Sequence, residues 1–222
     1  LTGSSLAARP LENAAPRRGG RPSLEQAERI RETILAVATD LFLRQGYGAT
    51  SIEAIAERAR ISKRTFYHRF PDKSALFGAV VHRIIEGLRP PPDIPLFAGE
   101  TIDAVLRRLA RLMLHAALTP AALALNRLIV AEAQRFPDLA AALDHEGATA
   151  EVLKGIADLL DRETAAGRLS VTNTAFAAAQ YMQLVIAIPQ KRAIGVGPPM
   201  SEAEREAWAD DAVTLFLNGC RG

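Results

Sequence analysis

Residues 49–73 read ATSIEAIAERARISKRTFYHRFPDK, and the organisation of the whole chain follows from them. Thr50 and Glu53 have the spacing of a capping box, which predicts that a short helix opens there. Ile52, Ile55, Ala56 and Ala59 then share one face of it. Arg60, Ile61 and Ser62 leave room only for a tight connection, after which Ser62 can cap a second helix over 63–70. Pro71 has no backbone donor and disfavours helical geometry in the residue before it, so this helix is expected to stop at Phe70. At 3.6 residues per turn Phe66 and Phe70 fall on one side, Arg64 and His68 on the other, with Thr65 and Tyr67 on the flanks. A helix this short is not stable alone. The two phenylalanines must hold it against its neighbours while its polar side stays free. Two short helices separated by three residues form a helix-turn-helix, here over 51–70.

A free face of this composition matches what a DNA major groove offers. Guanidinium groups pair with guanine edges or phosphates, a threonine methyl meets a thymine methyl, and hydroxyls reach phosphate oxygens. Backbone N–H groups at the Ser62 end are placed for a phosphate, and Lys73 for the flanking backbone. Upstream, Ser23 with Gln26 predicts the start of a first helix whose stripe is Ile30, Ile34, Val37, Ala38 and Leu41, ended by Gly46 and Gly48. Downstream, Asp72 can cap a fourth helix with the stripe Phe77, Val80, Val81, Ile84, Ile85 and Leu88. Residues 1–22 lack periodic apolar positions and read as a flexible basic arm. Its Arg17, Arg18 and Arg21 suit either a solvated tail or an arm that touches phosphates or the minor groove.

Beyond Pro90, Pro91 and Pro92 the pattern stays helical. Helices are predicted over 100–118, from a Thr119 cap with Pro120 in the first turn to before Pro137, and over 138–166 with an interruption near Gly147. Two more follow, over 174–188 ahead of Pro189 and over 201–217, closed by Asn218 and Gly219. No run alternates as a strand would. The fold class is therefore all-α: an N-terminal three-helix unit with the helix-turn-helix, then a C-terminal helical bundle, about nine helices in total. The 174–188 helix is apolar around most of its circumference, with Phe176, Ala179, Tyr181, Met182, Leu184, Val185 and Ile188. The 201–217 helix carries Trp208, Ala212, Leu215 and Phe216. Such a helix is covered on every side, by its own subunit or by a second copy.

The charge is divided unevenly. Residues 1–88 hold 14 Lys+Arg against 9 Asp+Glu, a balance of +5; residues 89–222 hold 13 against 16, a balance of −3. One half thus suits a polyanion and the other does not. No apolar run is long enough to span a bilayer and no secretory signal pattern is seen, so no membrane partner and a cytoplasmic location are expected. The one cysteine, Cys220, excludes an internal disulfide and reads as inert. His68, His82, His115 and His145 lack metal-ligand spacing; no phosphate-cradling loop, serine elbow or Cys–His pairing is present. No metal, no cofactor and no enzymatic activity are expected.

The segment resembles the N-terminal domain of TetR/AcrR-type bacterial transcriptional regulators over roughly 30–81. The resemblance is carried by Leu41-Phe42, Gly46-Tyr47, Ala49-Thr50-Ser51-Ile52, Ile55-Ala56, Ile61-Ser62-Lys63, Thr65-Phe66-Tyr67-His68, Phe70 and Lys73-Ser74-Ala75-Leu76. A second stretch, Arg127 to Glu132 with Arg135-Phe136-Pro137, looks like one large subgroup of the C-terminal domains. The resemblance implies DNA contacts at Thr65, Tyr67, His68 and Lys73, with Ser51, Lys63 and Arg64 as further phosphate or base contacts. It also implies a homodimer built on the last two helices, a double-stranded operator and a small-molecule effector, with repression the usual outcome. The division that results is 23–75 for DNA binding and 76–222 for effector binding and dimerisation. One departure is Arg60, at a turn position where the family often has glycine. Polar groups on otherwise apolar faces, namely His115, Arg127, Glu132, Gln180 and Gln183, are the candidates for an effector pocket or for satisfied core and interface groups. Two rival readings stay open here: a helical enzyme or carrier with a basic surface, and a DNA-organising protein without a ligand.

Overall fold

The apolar stripes become helices. In the computed structural model, which describes residues 24–91, 93–99, 101–132, 134–136 and 148–221, the described residues form nine helices and no strand. The first four are α1 (Leu24–Gln45), α2 (Ile52–Arg58), α3 (Lys63–Tyr67) and α4 (Lys73–Glu86). The rest are α5 (Ile102–Ala117), α6 (Pro120–Glu132), α7 (Ala148–Ala165), α8 (Thr174–Ala193) and α9 (Glu202–Cys220). The arm, the Ser23 cap and the part of the 138–166 helix before Ala148 lie outside the described residues.

Local capping follows the sequence with one exchange. Ser62, Asp72 and Ser201 cap α3, α4 and α9, and Thr119 Oγ1 accepts from the Ala122 N–H at the start of α6. The cap of α2 is Ser51, whose hydroxyl accepts from Ala54 N–H at 3.1 Å, and not Thr50. Thr50 is buried and donates instead to the Gly46 carbonyl at 2.8 Å, so its side chain closes the turn before the helix.

Two apolar cores result. One gathers α1 to α4 around Ile34, Phe42, Ile55, Phe66, Phe77 and Val80 and takes in Leu125 and Leu128 of α6. The other packs α5, α7, α8 and α9 around Leu106, Leu109, Ile156, Leu160, Tyr181 and Val213. The Tyr181 hydroxyl is fully inside it and donates to the Leu106 carbonyl at 2.5 Å, which ties α8 to α5. Helix α6 therefore leans on the first core although it follows α5 of the second. At the end of α4, Arg89 forms ion pairs with Glu86 and with Glu151 of α7, at 2.5 and 2.6 Å.

Two helices run further than expected. Helix α8 passes through Pro189 to Ala193. Proline cannot give the N–H that the Val185 carbonyl would normally accept. Here the Trp208 indole N–H of α9 donates to that carbonyl at 3.0 Å, and Pro189 itself is buried, so the helix continues. Helix α9 passes Gly219 because Cys220 is buried and its carbonyl accepts from Ser170 N–H at 2.7 Å. Helix α3, by contrast, ends at Tyr67, three residues early; a turn carries Phe70 on, and its N–H still donates to the Phe66 carbonyl at 3.0 Å.

Replacing Trp208 by Phe is expected to lower stability by about 1–3 kcal/mol, since the Val185 carbonyl is then buried without a partner. Part of that loss belongs to Pro189: in a Pro189→Ala background the restored N–H fills the carbonyl, and the Trp208→Phe penalty shrinks by about 1 kcal/mol. Urea denaturation of the four proteins at one fixed concentration checks this; penalties equal in both backgrounds contradict it.

Candidate nucleic-acid interface

Helix α3 is held from beneath. The Phe66 ring is wholly buried and Phe70 nearly so, their centroids 6.0 Å apart. The Arg31 guanidinium lies 5.8 Å from the centre of the Phe70 ring. Arg69 also turns inward, donating to the Ala27 carbonyl of α1 at 3.4 Å. On the opposite side Lys63, Arg64, Tyr67 and His68 are exposed, and Arg64 makes no ion pair among the described residues. Tyr67 packs edge-on with Phe66, ring centroids 5.5 Å apart, and remains 52% exposed.

The remaining residues expected at the interface are more constrained. Thr65 is half-buried and its hydroxyl pairs with that of Ser62 at 2.8 Å. Lys63 bridges to Glu53 of α2 at 2.5 Å; this pairing pushes the lysine pKa up and the carboxylate pKa down. Lys73 points inward: its ammonium donates to the carbonyls of Tyr47 and Thr50, both at 3.0 Å, and sits 4.3 Å from the Tyr47 ring centre. Burial draws its pKa down, and the Glu132 carboxylate opposes that shift.

The connection between α2 and α3 is a left-handed helix end. Ile61 N–H donates to Ala56 and Arg60 N–H to Glu57, at 2.9 and 3.0 Å, which is the Schellman pattern with Arg60 in the position glycine usually takes. Arg60 has φ +55°, the only positive value of a non-glycine residue among those described. The turn thus keeps the geometry glycine would give.

Two family models match this chain: "Bacterial regulatory proteins, tetR family" over residues 34–80 and "AefR-like transcriptional repressor, C-terminal domain" over 104–219, about half of the chain. The chain belongs to the TetR family of transcriptional regulators. Among solved structures of the family, the flavonoid-responsive regulator FrrA is 33% identical with a TM-score of 0.73, covering 87% of this chain and 98% of its own. A TetR-family regulator from Mesorhizobium loti MAFF303099 is 31% identical with a TM-score of 0.70, covering 89% and 99%. The HTH-type transcriptional regulator UidR of Escherichia coli K12 is 29% identical over 128 residues, 56% of this chain, and the chain spans 62% of UidR. As a TetR-family member the chain is a transcriptional regulator, with the family's N-terminal domain over residues 34–80.

Within this TetR-family frame the polar candidates for an effector pocket separate. His115 and Arg127 are exposed. Gln180 and Gln183 are exposed on the side of α8 opposite Tyr181 and Val185, so they face out of the subunit. Glu132 reaches the first core, where its Oε1 accepts from Gly48 N–H at 3.2 Å. Of the five, Gln180 and Gln183 share one side of α8, while His115 stands on α5 and Arg127 and Glu132 on α6. A polar pair that the periodicity did not single out does link the bundle: Asn126 of α6 donates to the Gln190 side chain of α8 at 3.1 Å. Its signal was available, as an asparagine beside Arg127 in the otherwise apolar stretch 121–131. A depression of about 450 Å³ lined by Phe97, Gly155, Asp158, Asp161 and Arg162 lies elsewhere, on α7. Among the described residues no single helix is long and apolar enough to cross a membrane.

The Arg60 turn yields a stability test. Arg60→Gly exchanges a strained residue for a relaxed but more flexible one, so stability should change by less than about 1 kcal/mol. Arg60→Val should cost about 1–2 kcal/mol, because a β-branched residue tolerates positive φ worst. Thermal melting of both variants checks the contrast, and a valine variant as stable as the parent contradicts it.

Proposed function

We propose that this protein is a homodimeric repressor that binds a pseudo-palindromic operator and leaves it when a small-molecule effector binds. The observation that carries this reading is the outward face of α3, with Arg64, Tyr67 and His68 exposed above a buried Phe66. Residues 23–75 serve as the DNA-reading unit and 76–222 as the sensing and dimerising one. Arg64, Tyr67 and His68 meet base edges, while Ser51, Lys63 and the Thr65 methyl serve the backbone and the groove wall. Lys73 has one N–H left beyond its two carbonyl bonds, enough for a flanking phosphate.

Dimerisation is supported by what the last two helices leave uncovered. Phe176 and Ile188 on α8 and Leu215 on α9 are 61%, 43% and 65% exposed. Large apolar side chains left exposed on these two helices suit an interaction site. A two-fold partner packed there presents two α3 helices to half-sites about 34 Å apart, one turn of DNA. Gln180 and Gln183, beside Phe176, fall within that interface and not in a pocket. The likeness to an AefR-like repressor C-terminal domain supports repression, and the likeness to a flavonoid-responsive regulator supports an effector of small-molecule size. The cytoplasm, where chromosomal DNA is met, is its place of action. An effector that prefers a bundle shape with the wrong α3 spacing shifts the population away from DNA.

Selection of bound fragments from the genomic DNA of the source organism should recover a pseudo-palindrome. Tyr67→Ala should lower affinity for it at least about tenfold at fixed salt, as expected for one lost specific contact, without moving the melting temperature. In light scattering the parent should have twice the chain mass and Leu215→Glu should shift it toward the monomer. A monomeric parent, or a Tyr67→Ala protein with full affinity, contradicts the reading.

A further inference from the structure

Two glycines flank Tyr47 in the turn between α1 and α2, and each has another part of the chain pressed against it. A methyl group placed on Gly46 would stand 2.8 Å from Glu132 Oε1, and one on Gly48 would stand 3.2 Å from the Phe136 ring. Gly46 also has φ +90°, open chiefly to glycine. These glycines do more than end α1. They let the end of α6 approach the backbone of the turn.

What arrives there is specific. Glu132, the last residue of α6, takes the Gly48 N–H at 3.2 Å. Phe136 sets its ring against Tyr47, with centroids 5.0 Å apart and planes at 71°. From the other side Lys73 of α4 holds the carbonyls of Tyr47 and Thr50. The turn is therefore pinned at an N–H by α6 and at two carbonyls by α4. Thr50 leads directly into Ser51, the cap of α2, and α2 carries α3 through the Arg60 turn. A carboxylate in such a place is not a packing choice. Glu132 Oε2 is shielded with no hydrogen-bond partner, a situation an apolar residue of like size would avoid.

We infer that Glu132 and Phe136 are positioning residues for DNA binding: from the end of α6 they set the α1–α2 turn, and through it the helix-turn-helix. The inference rests on the regulator reading above and assigns Glu132 to the DNA-reading unit. It gives α6 a direct hold on the motif that does not pass through α4. Any displacement of the α6 end is felt first at Gly48.

The test uses the full chain and three proteins: the parent, Glu132→Ala, and Glu132→Gln, which keeps an acceptor for the Gly48 N–H. Amide hydrogen exchange over residues 46–55 and affinity for the selected duplex are read in parallel. Glu132→Ala should exchange about tenfold faster in the turn and bind the duplex about tenfold more weakly, with exchange in α8 and α9 unchanged. Glu132→Gln should recover most of both. Parental exchange and affinity in Glu132→Ala would overturn the inference. So would faster exchange with unchanged affinity, or no recovery in Glu132→Gln. If the parent selects no duplex at all, the regulator reading falls separately, and parental exchange in Glu132→Ala still overturns the pinned turn.

Discussion

The burial of Phe66 and Phe70 is the constraint on which the rest depends. Helix α3 has five residues, far below the length at which a helix holds itself in water. It exists because two aromatic rings are seated in a core built by α1, α2 and α4, and because Ser62 caps its first turn. This arrangement dictates which side chains are left over. With Phe66 down, Arg64, Tyr67 and His68 have nowhere to go but out. The outward face is thus a consequence of packing, and α3 cannot lose its core contact without losing that face.

The same core is shared across the division of labour. Leu125 and Leu128 of α6 lie in it, and Glu132 and Phe136 continue the contact to the turn before α2. Helix α4 is held at both ends, by the carbonyls around Lys73 and by the Arg89–Glu151 pair. The C-terminal bundle is therefore not a separate body on a tether. Its own core, around Tyr181 and Val185, is closed by hydrogen bonds that tie α8 to α5 through Tyr181 and to α9 through Trp208.

Much of this was legible in the residues. The all-helical class, the helix-turn-helix, the caps at Ser62, Asp72 and Thr119 and the buried side of α3 all follow from spacing and local chemistry, which act over a few residues. What was not legible depends on partners distant in sequence. Pro189 reads as a stop because its missing N–H is local, whereas the Trp208 indole that compensates for it is 19 residues away on another helix. Glu132 reads as a polar group on an apolar face; only the fold brings Gly48, 84 residues earlier, to its carboxylate. Lys73 reads as a free cation for the same reason. The outward placement of Gln180 and Gln183 was hidden because α8 is apolar on two sides, and periodicity alone does not say which side the subunit keeps.

Hydroxyl-radical footprinting of the purified protein, alone and with the selected duplex, tests whether the outward side of α3 meets DNA. Tyr67 and His68 should be readily oxidised in the free protein and become protected when the duplex is bound, while Phe66 stays unreactive in both. Unchanged oxidation of Tyr67 and His68 in the complex, with protection elsewhere on the surface, would contradict it.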